Sequence, residues 1–264
     1  MELSKDSLNF PIIKDVAVLG IERADSYHKA MLEYPQARDQ EFQAVLDMVR
    51  FAKNDVVIDY PAGGGYLSWY VPRDIRMVHV ETSELFAELG HSRSPFPQQL
   101  SACNELDQNS NSVDWVLSVA GLHHVLNKLP LFKEFARTLR PGGQLVMADA
   151  SQGSKVSRFL DDWVGSHSST GHTGSYFNDT TLKEINRAGL ALLRLQEKHY
   201  HWRFPTKQDA ARYCKLMFGA DLASEAAMLE ALEQYLGFDQ LEQGVGLKWQ
   251  LQFISCIKPL AILD

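Results

Sequence analysis

One stretch constrains the fold of this chain more than any other: Val57-Ile58-Asp59-Tyr60-Pro61-Ala62-Gly63-Gly64-Gly65-Tyr66. A short apolar run ends in proline and three consecutive glycines, which reads as a buried strand entering a turn. Glycines let a ligand approach the backbone closely, and a helix opening from the turn would offer free N–H groups. Ile75 to Val80 reads as the next strand, and Glu81 ends it. A carboxylate at that place accepts both hydroxyls of a ribose. The glycine turn and Glu81 together point to a nucleoside-containing ligand at the carboxyl ends of the strands.

Two other ligand classes need different spacings. A nicotinamide dinucleotide site carries G-x-G-x-x-G, but Gly63-Gly64-Gly65 is followed by Tyr66, Leu67 and Ser68. A phosphate-cradling loop needs Gly-Lys-Ser/Thr after the turn, and that is absent too.

The rest of the first half supports an open α/β sheet. Phe42, Val45, Leu46 and Val49 repeat at helical spacing within 37–52. Ser83 to Leu89 reads as a helix, and Val113 to Val119 as a strand. Phe132, Phe135, Ala136 and Leu139 mark a helix that Pro141-Gly142-Gly143 stops, and Gln144 to Ala148 is strand again. Strands alternating with helices imply a doubly wound, mostly parallel sheet with helices on both faces.

The second half is less regular. Gly165 to Tyr176 is rich in Ser, Thr, Gly and His and reads as a loop. Leu182 to Ala188 is expected as a helix and Leu190 to Leu195 as a strand. Thr206 to Phe218 and Ser224 to Leu236 form two amphipathic helices, followed by a final strand from Lys248 to Ile257. Two helices between the last strands exceed a short crossover and are expected to form a cap.

These segments resemble the class I S-adenosylmethionine-dependent methyltransferases, especially the small-molecule type 11 group. The turn Asp59 to Gly65 matches that family's acidic residue and G-x-G-x-G, and Glu81 matches its ribose acid. Cys103-Asn104-Glu105-Leu106 and Asn111-Ser112-Val113-Asp114 match the segment before the fourth strand. Trp115 to His124 matches that strand and its turn, and Arg137-Thr138-Leu139-Arg140-Pro141-Gly142-Gly143 matches the step into the fifth strand. The matches run in order over about 34–150.

The resemblance implies a Rossmann-like, seven-stranded sheet in a single domain over 1–264, with a cofactor core at about 34–150 and a helical cap at about 203–240. It implies S-adenosylmethionine as cofactor and methyl transfer to a small organic molecule. Ala62, Gly63 and Gly65 would border the methionine part, and Asp59 would orient the turn or reach the amino group, directly or through water. Glu81 would hold the ribose, Cys103 and Asn104 would edge the adenine, and Val119 and Ala120 would face the sulfonium. Tyr34 and Arg38 precede the motif as candidates for the methionine carboxylate. Two departures stand out: Pro61 replaces the family's first glycine, and Ala102 replaces an Asp common near the adenine.

Methyl transfer mainly requires alignment and exclusion of water, because the cofactor is already activated. Where the acceptor must lose a proton, a base helps. The candidates are His123, His172 and Tyr176, with His124 and His167 beside them. Two alternatives are another reaction at the same cofactor site and a non-catalytic binding module. The intact set Asp59, Gly63, Gly65 and Glu81 argues against the second.

Bulk properties narrow the partners. The net charge of −7 and the lack of a Lys/Arg run argue against a nucleic-acid substrate. Cys103, Cys214 and Cys256 are odd in number and far apart, which argues against a disulfide framework or a cysteine zinc site and fits a reducing compartment. The Gly165–Tyr176 run holds two histidines and no cysteine, so no metal is expected. No membrane span and no leader-like segment is visible, which reads as cytoplasmic. The oligomeric state is not legible.

Overall fold

A computed structural model describes residues 16–91, 96–101 and 105–260. Its centre is one sheet. The parallel strands are β1 (Val56–Asp59), β2 (Arg76–Glu81), β3 (Gln98–Leu100), β4 (Val113–Val119) and β5 (Leu139–Asp149). The strand β6 (Ala191–Phe204) and β8 (Val245–Ile257) complete the order β3-β2-β1-β4-β5-β8-β6. β8 runs antiparallel to both β5 and β6. A short β7 (Phe238–Gln240) pairs with β8, so the sheet has eight strands rather than the expected seven.

The strand residues show why the sheet is covered on both faces. Side chains alternate across a strand. Val57, Met77, Trp115, Leu117 and Val146 belong to one buried cluster, while Ile58, Val80, Val116, Leu145 and Met147 belong to another. The second cluster is closed by α4 (Leu129–Thr138), whose Leu131, Phe132, Phe135 and Ala136 are buried on one side. α7 (Asp179–Arg187) adds Ile185, its start fixed by an Asn178 capping box.

The first cluster is closed by α1 (Val16–Glu33), α2 (Asp39–Leu46), α8 (Lys207–Phe218) and α9 (Glu225–Tyr235). α3 (Glu84–His91) packs beside α1 and β3. α8 lies against both α1 and α9. Trp202, Trp249 and Phe218 form a stack here, with the two indole centroids 4.0 Å apart. No helix among the described residues is long and apolar enough to cross a membrane.

Three local expectations change. The glycine turn opens only a single 3-10 turn, Tyr66–Trp69, and not a full helix. Left-handed backbone at Gly63, Gly64 and Gly65 (φ +55°, +99° and +75°) curls the chain too tightly for helical N–H groups to line up. The loop expected from Gly165 begins three residues later. Gly165–His167 (α6) is the end of a helical segment that starts at α5 (Lys155–Arg158) and passes through a π-helical turn, Phe159–Val164. β6 runs to Phe204 instead of ending at Leu195, because its charged stretch has one face toward solvent and hydrogen-bonds β8 along its whole length.

Candidate active site

The strand order reverses between β1 and β4, and ligands of open α/β sheets bind outside the strand ends at such a point. The chain leaves β1 through Pro61 and β4 through Gly121, and these two turns touch. A Cβ placed on Gly121 would stand 2.3 Å from Cγ of Pro61. A cavity of about 450 Å³ opens there, within the size range of small-ligand sites.

The end of the cavity at β2 is built by backbone. Glu81 accepts N–H groups from Gly63 (2.7 Å), Thr82 (2.7 Å) and Ser83 (3.1 Å). Burial nevertheless pushes its carboxyl above the ordinary range. Asp59 ends β1 and receives Nδ1 of His79 from β2 at 2.9 Å, so its carboxylate is held beneath the turn. A Cβ on Gly63 would reach Tyr27 Oη at 3.4 Å, which shows how closely α1 lies over the turn.

Asp59, Ala62, Gly63, Glu81, Val119, Ala120 and Arg38 all line the cavity. Gly65 instead starts the 3-10 turn and is not in its wall. Tyr34 points elsewhere: its hydroxyl donates to Asp209 at 2.8 Å and its ring packs edge-on to Phe204 and Tyr213. Arg38 is buried against Glu41, which neutralises it, and donates to Tyr27 at 3.0 Å. Cys103 and Asn104 lie outside the described residues.

The other end of the cavity is a cluster of imidazoles. His123 lies in a 3-10 turn after β4, with Nδ1 2.7 Å from Asp149 Oδ1 at the end of β5. Asp149 also accepts the His123 backbone N–H at 2.9 Å. His172 sits in the loop after α6, its Nδ1 3.0 Å from Asp161 Oδ1. Tyr176 donates to that same oxygen at 2.6 Å, and its ring stacks on His123 at 5.8 Å. Its hydroxyl is therefore spoken for, and Tyr176 is not in the cavity wall. His124 completes the group. One ring nitrogen from each of His123, His124 and His172 lies within 4.8 Å of the other two.

Sequence reasoning missed Arg23 and Tyr27 on α1, together with Asp149 and Asp161. Arg23 lines the cavity, and its buried Nη1 has no hydrogen-bond partner among the described residues. Desolvation lowers its pKa to about 10. No motif marks these positions, because each acquires its place only when a distant segment packs onto the strand ends.

The fold and the cavity at its strand ends are like those of the class I S-adenosylmethionine-dependent methyltransferases. The residues fit that cofactor: the glycine turn leaves room for it, and a buried carboxylate at the end of the next strand is an acceptor suited to sugar hydroxyls. Residues 58–147 match the family model for a methyltransferase domain. The chain is 24% identical to a malonyl-[acyl-carrier protein] O-methyltransferase of Marinomonas sp. (strain MWYL1), covering 95% of this chain and 99% of that protein. Among solved structures it is similar to the geranyl diphosphate C-methyltransferase of Streptomyces coelicolor A3(2), bound there to Mg2+, geranyl diphosphate and S-adenosyl-L-homocysteine. That match has a TM-score of 0.58 and 15% identity, over 97% of this chain and 88% of that one. The YcgJ protein of Bacillus subtilis matches with a TM-score of 0.60 and 14% identity, over 84% of this chain and 99% of that one. S-adenosylmethionine is the cofactor of this enzyme.

Proposed function

We propose that this methyltransferase acts on an anionic oxygen of a small organic acid, and that Arg23 holds that anion. The observation that carries the reading is the Arg23 guanidinium. It faces the cavity, is desolvated, and has no hydrogen-bond partner for Nη1 among the described residues. Burying a charge without a partner is costly, so such a group is completed by a ligand of opposite charge. Arg38 is not available for this role, since Glu41 already pairs with it.

Bound S-adenosylmethionine supplies a methyl group on a positively charged sulfur; the acceptor oxygen forms the new C–O bond as the S–C bond breaks, and an ionised acid needs no proton removed. The chain's own residues then have two tasks. Glu81, Gly63 and Asp59 hold the donor, while Val119 and Ala120 line the wall between the donor site and the histidines. Met217 and Phe218 of α8, with Tyr27 of α1, cover the cavity and exclude water. In this reading segment 203–240 serves as a cap over a core at about 34–150, joined by α1. A cytoplasmic setting fits Cys214 and Cys256, which are free and buried.

The Marinomonas relative supports a second form of the same chemistry, in which the acid is carried on an acyl carrier protein. A panel of free acids and acyl-carrier-bound acids, scored by S-adenosylhomocysteine release, separates the two. With the acceptor in hand, Arg23→Met raises its KM at least tenfold and leaves S-adenosylmethionine affinity unchanged. Loss of cofactor affinity instead would assign Arg23 to the methionine carboxylate and overturn the acceptor reading.

A further inference from the structure

The histidine cluster has the construction of a metal centre, and we propose that His123, His124 and His172 bind a late first-row divalent cation, Zn2+ in the first instance. Three imidazoles that leave one position open to a cavity form a common catalytic zinc arrangement.

The ring arrangement supports this. The centroids of His123 and His124 are 4.1 Å apart, and His172 stands 5.4 and 5.5 Å from them. Imidazoles sharing one tetrahedral ion at ~2.1 Å hold their nitrogens about 3.4 Å apart. The present separation, within 4.8 Å, closes with small ring rotations. His124 makes no side-chain hydrogen bond among the described residues, so none has to break for its ring to turn toward the ion.

The second observation is independent of the first. Metal-binding histidines characteristically anchor their other nitrogen on a carboxylate or carbonyl, which fixes the tautomer and aims the free nitrogen. His123 and His172 both do so, through Asp149 at 2.7 Å and Asp161 at 3.0 Å. Asp149 is held in turn by the backbone N–H groups of His123 and Ala150, and Asp161 by Tyr176 and the N–H of Gly174. Each Nε2 is left unengaged by these bonds. Hydrogen-bonded carboxylates behind two of three convergent imidazoles are the outer support that such sites require.

A dication here, beside Arg23, would make this end of the cavity strongly positive and suited to a chelating oxygen anion. That use in turnover rests on the methyl-transfer reading above; cation binding does not.

The test is a titration of chelator-stripped protein with Zn2+ against a chromophoric competitor, repeated with Co2+ to record its ligand-field absorption. One equivalent is expected to bind, with the Co2+ bands of a nitrogen-rich site. His124→Ala and His172→Ala should each weaken Zn2+ binding more than tenfold, and Asp161→Asn about 10–100-fold, while Arg23→Met should not weaken it. Each variant is also titrated with S-adenosylmethionine, and retained cofactor binding shows an intact fold. Absence of a stoichiometric Zn2+ site, or a site that His124→Ala and His172→Ala leave unchanged, overturns the proposal. If S-adenosylmethionine fails to bind while Zn2+ binds as described, the cofactor reading fails and the metal assignment stands.

Discussion

Oε2 of Glu81 accepts the backbone N–H of Gly63 at 2.7 Å, tying the acid at the end of β2 to the glycine turn after β1. One carboxylate therefore shapes the turn and, in the proposed reading, leaves its remaining lone pairs for the cofactor. Glu81→Ala removes both functions. Hydrogen bonds to charged groups contribute on the order of 1.5–3 kcal/mol, so S-adenosylmethionine affinity should fall roughly tenfold or more by isothermal titration. Wild-type affinity in a folded variant would remove Glu81 from the site.

The protonation of Glu81 gives cofactor binding a pH dependence. If Glu81 holds the ribose as proposed, the sugar hydroxyls need the ionised carboxylate as acceptor, and burial raises its pKa above the usual glutamate value. Affinity should be full at neutral pH and decline as pH falls, with the decline starting above the ordinary carboxylate range. The sign for folding is opposite. A raised folded-state pKa means that the empty protein carries a penalty for the ionised form at neutral pH, relieved as pH drops through that value. Cofactor titrations from pH 8 downward check this, and an affinity that declines only within or below the ordinary glutamate range would contradict it.

Gly121 is required by Pro61 rather than by its own backbone angle, since its φ is −139°. A methyl group there meets Cγ of Pro61 at 2.3 Å. Gly121→Ala should force the β1 and β4 turns apart, lowering stability by about 1–3 kcal/mol and weakening cofactor binding. Thermal unfolding with and without S-adenosylmethionine measures both effects. A Tm equal to that of the wild type would show that the turns are not in contact in solution.

Tyr176 acts through Asp161. Its hydroxyl and His172 Nδ1 share Oδ1 of that residue at 2.6 and 3.0 Å. Tyr176→Phe leaves Asp161 with one fewer donor and loosens the orientation of His172. Turnover should fall several-fold with cofactor affinity unchanged, and His172→Ala should cost more. Equal, wild-type turnover in both variants would place the acceptor away from this loop.

Buried thiols offer a check on the core. Cys214 in α8 is wholly buried and its pKa is raised well above the usual thiol value, while that of Cys256 in β8 is raised to about 12. Alkylation requires the thiolate. Both should resist iodoacetamide at pH 8 in the native protein and react in denaturant, as peptide mapping would reveal; prompt native labelling of Cys214 would mean that α8 does not pack as described.

Much of the parallel half was legible because its determinants are local. Val57-Ile58 followed by glycines can hardly be anything but a buried strand and a turn, and Val113 to Val119 was placed to the residue. The lengths of β6 and of the α5–α6 segment were not legible. A polar edge strand such as Gln196 to His201 is a strand only because β8 hydrogen-bonds it, and Gly165 is helical only because the preceding turns continue into it.

For the site, the sequence by itself determined the glycine turn, Glu81 and Asp59. The chemistry of a nucleoside ligand needs those residue types at the ends of adjacent strands, and adjacent strands are close in sequence. Tertiary structure alone decided the proposed acceptor side. His123 and His172 come together, each with its own aspartate behind it, and Arg23 arrives from α1, because loops far apart in the chain fold over one sheet edge. It likewise set Tyr34 against Asp209 and neutralised Arg38 with Glu41. Which charges stay unpaired depends on packing between segments, and no local pattern encodes that.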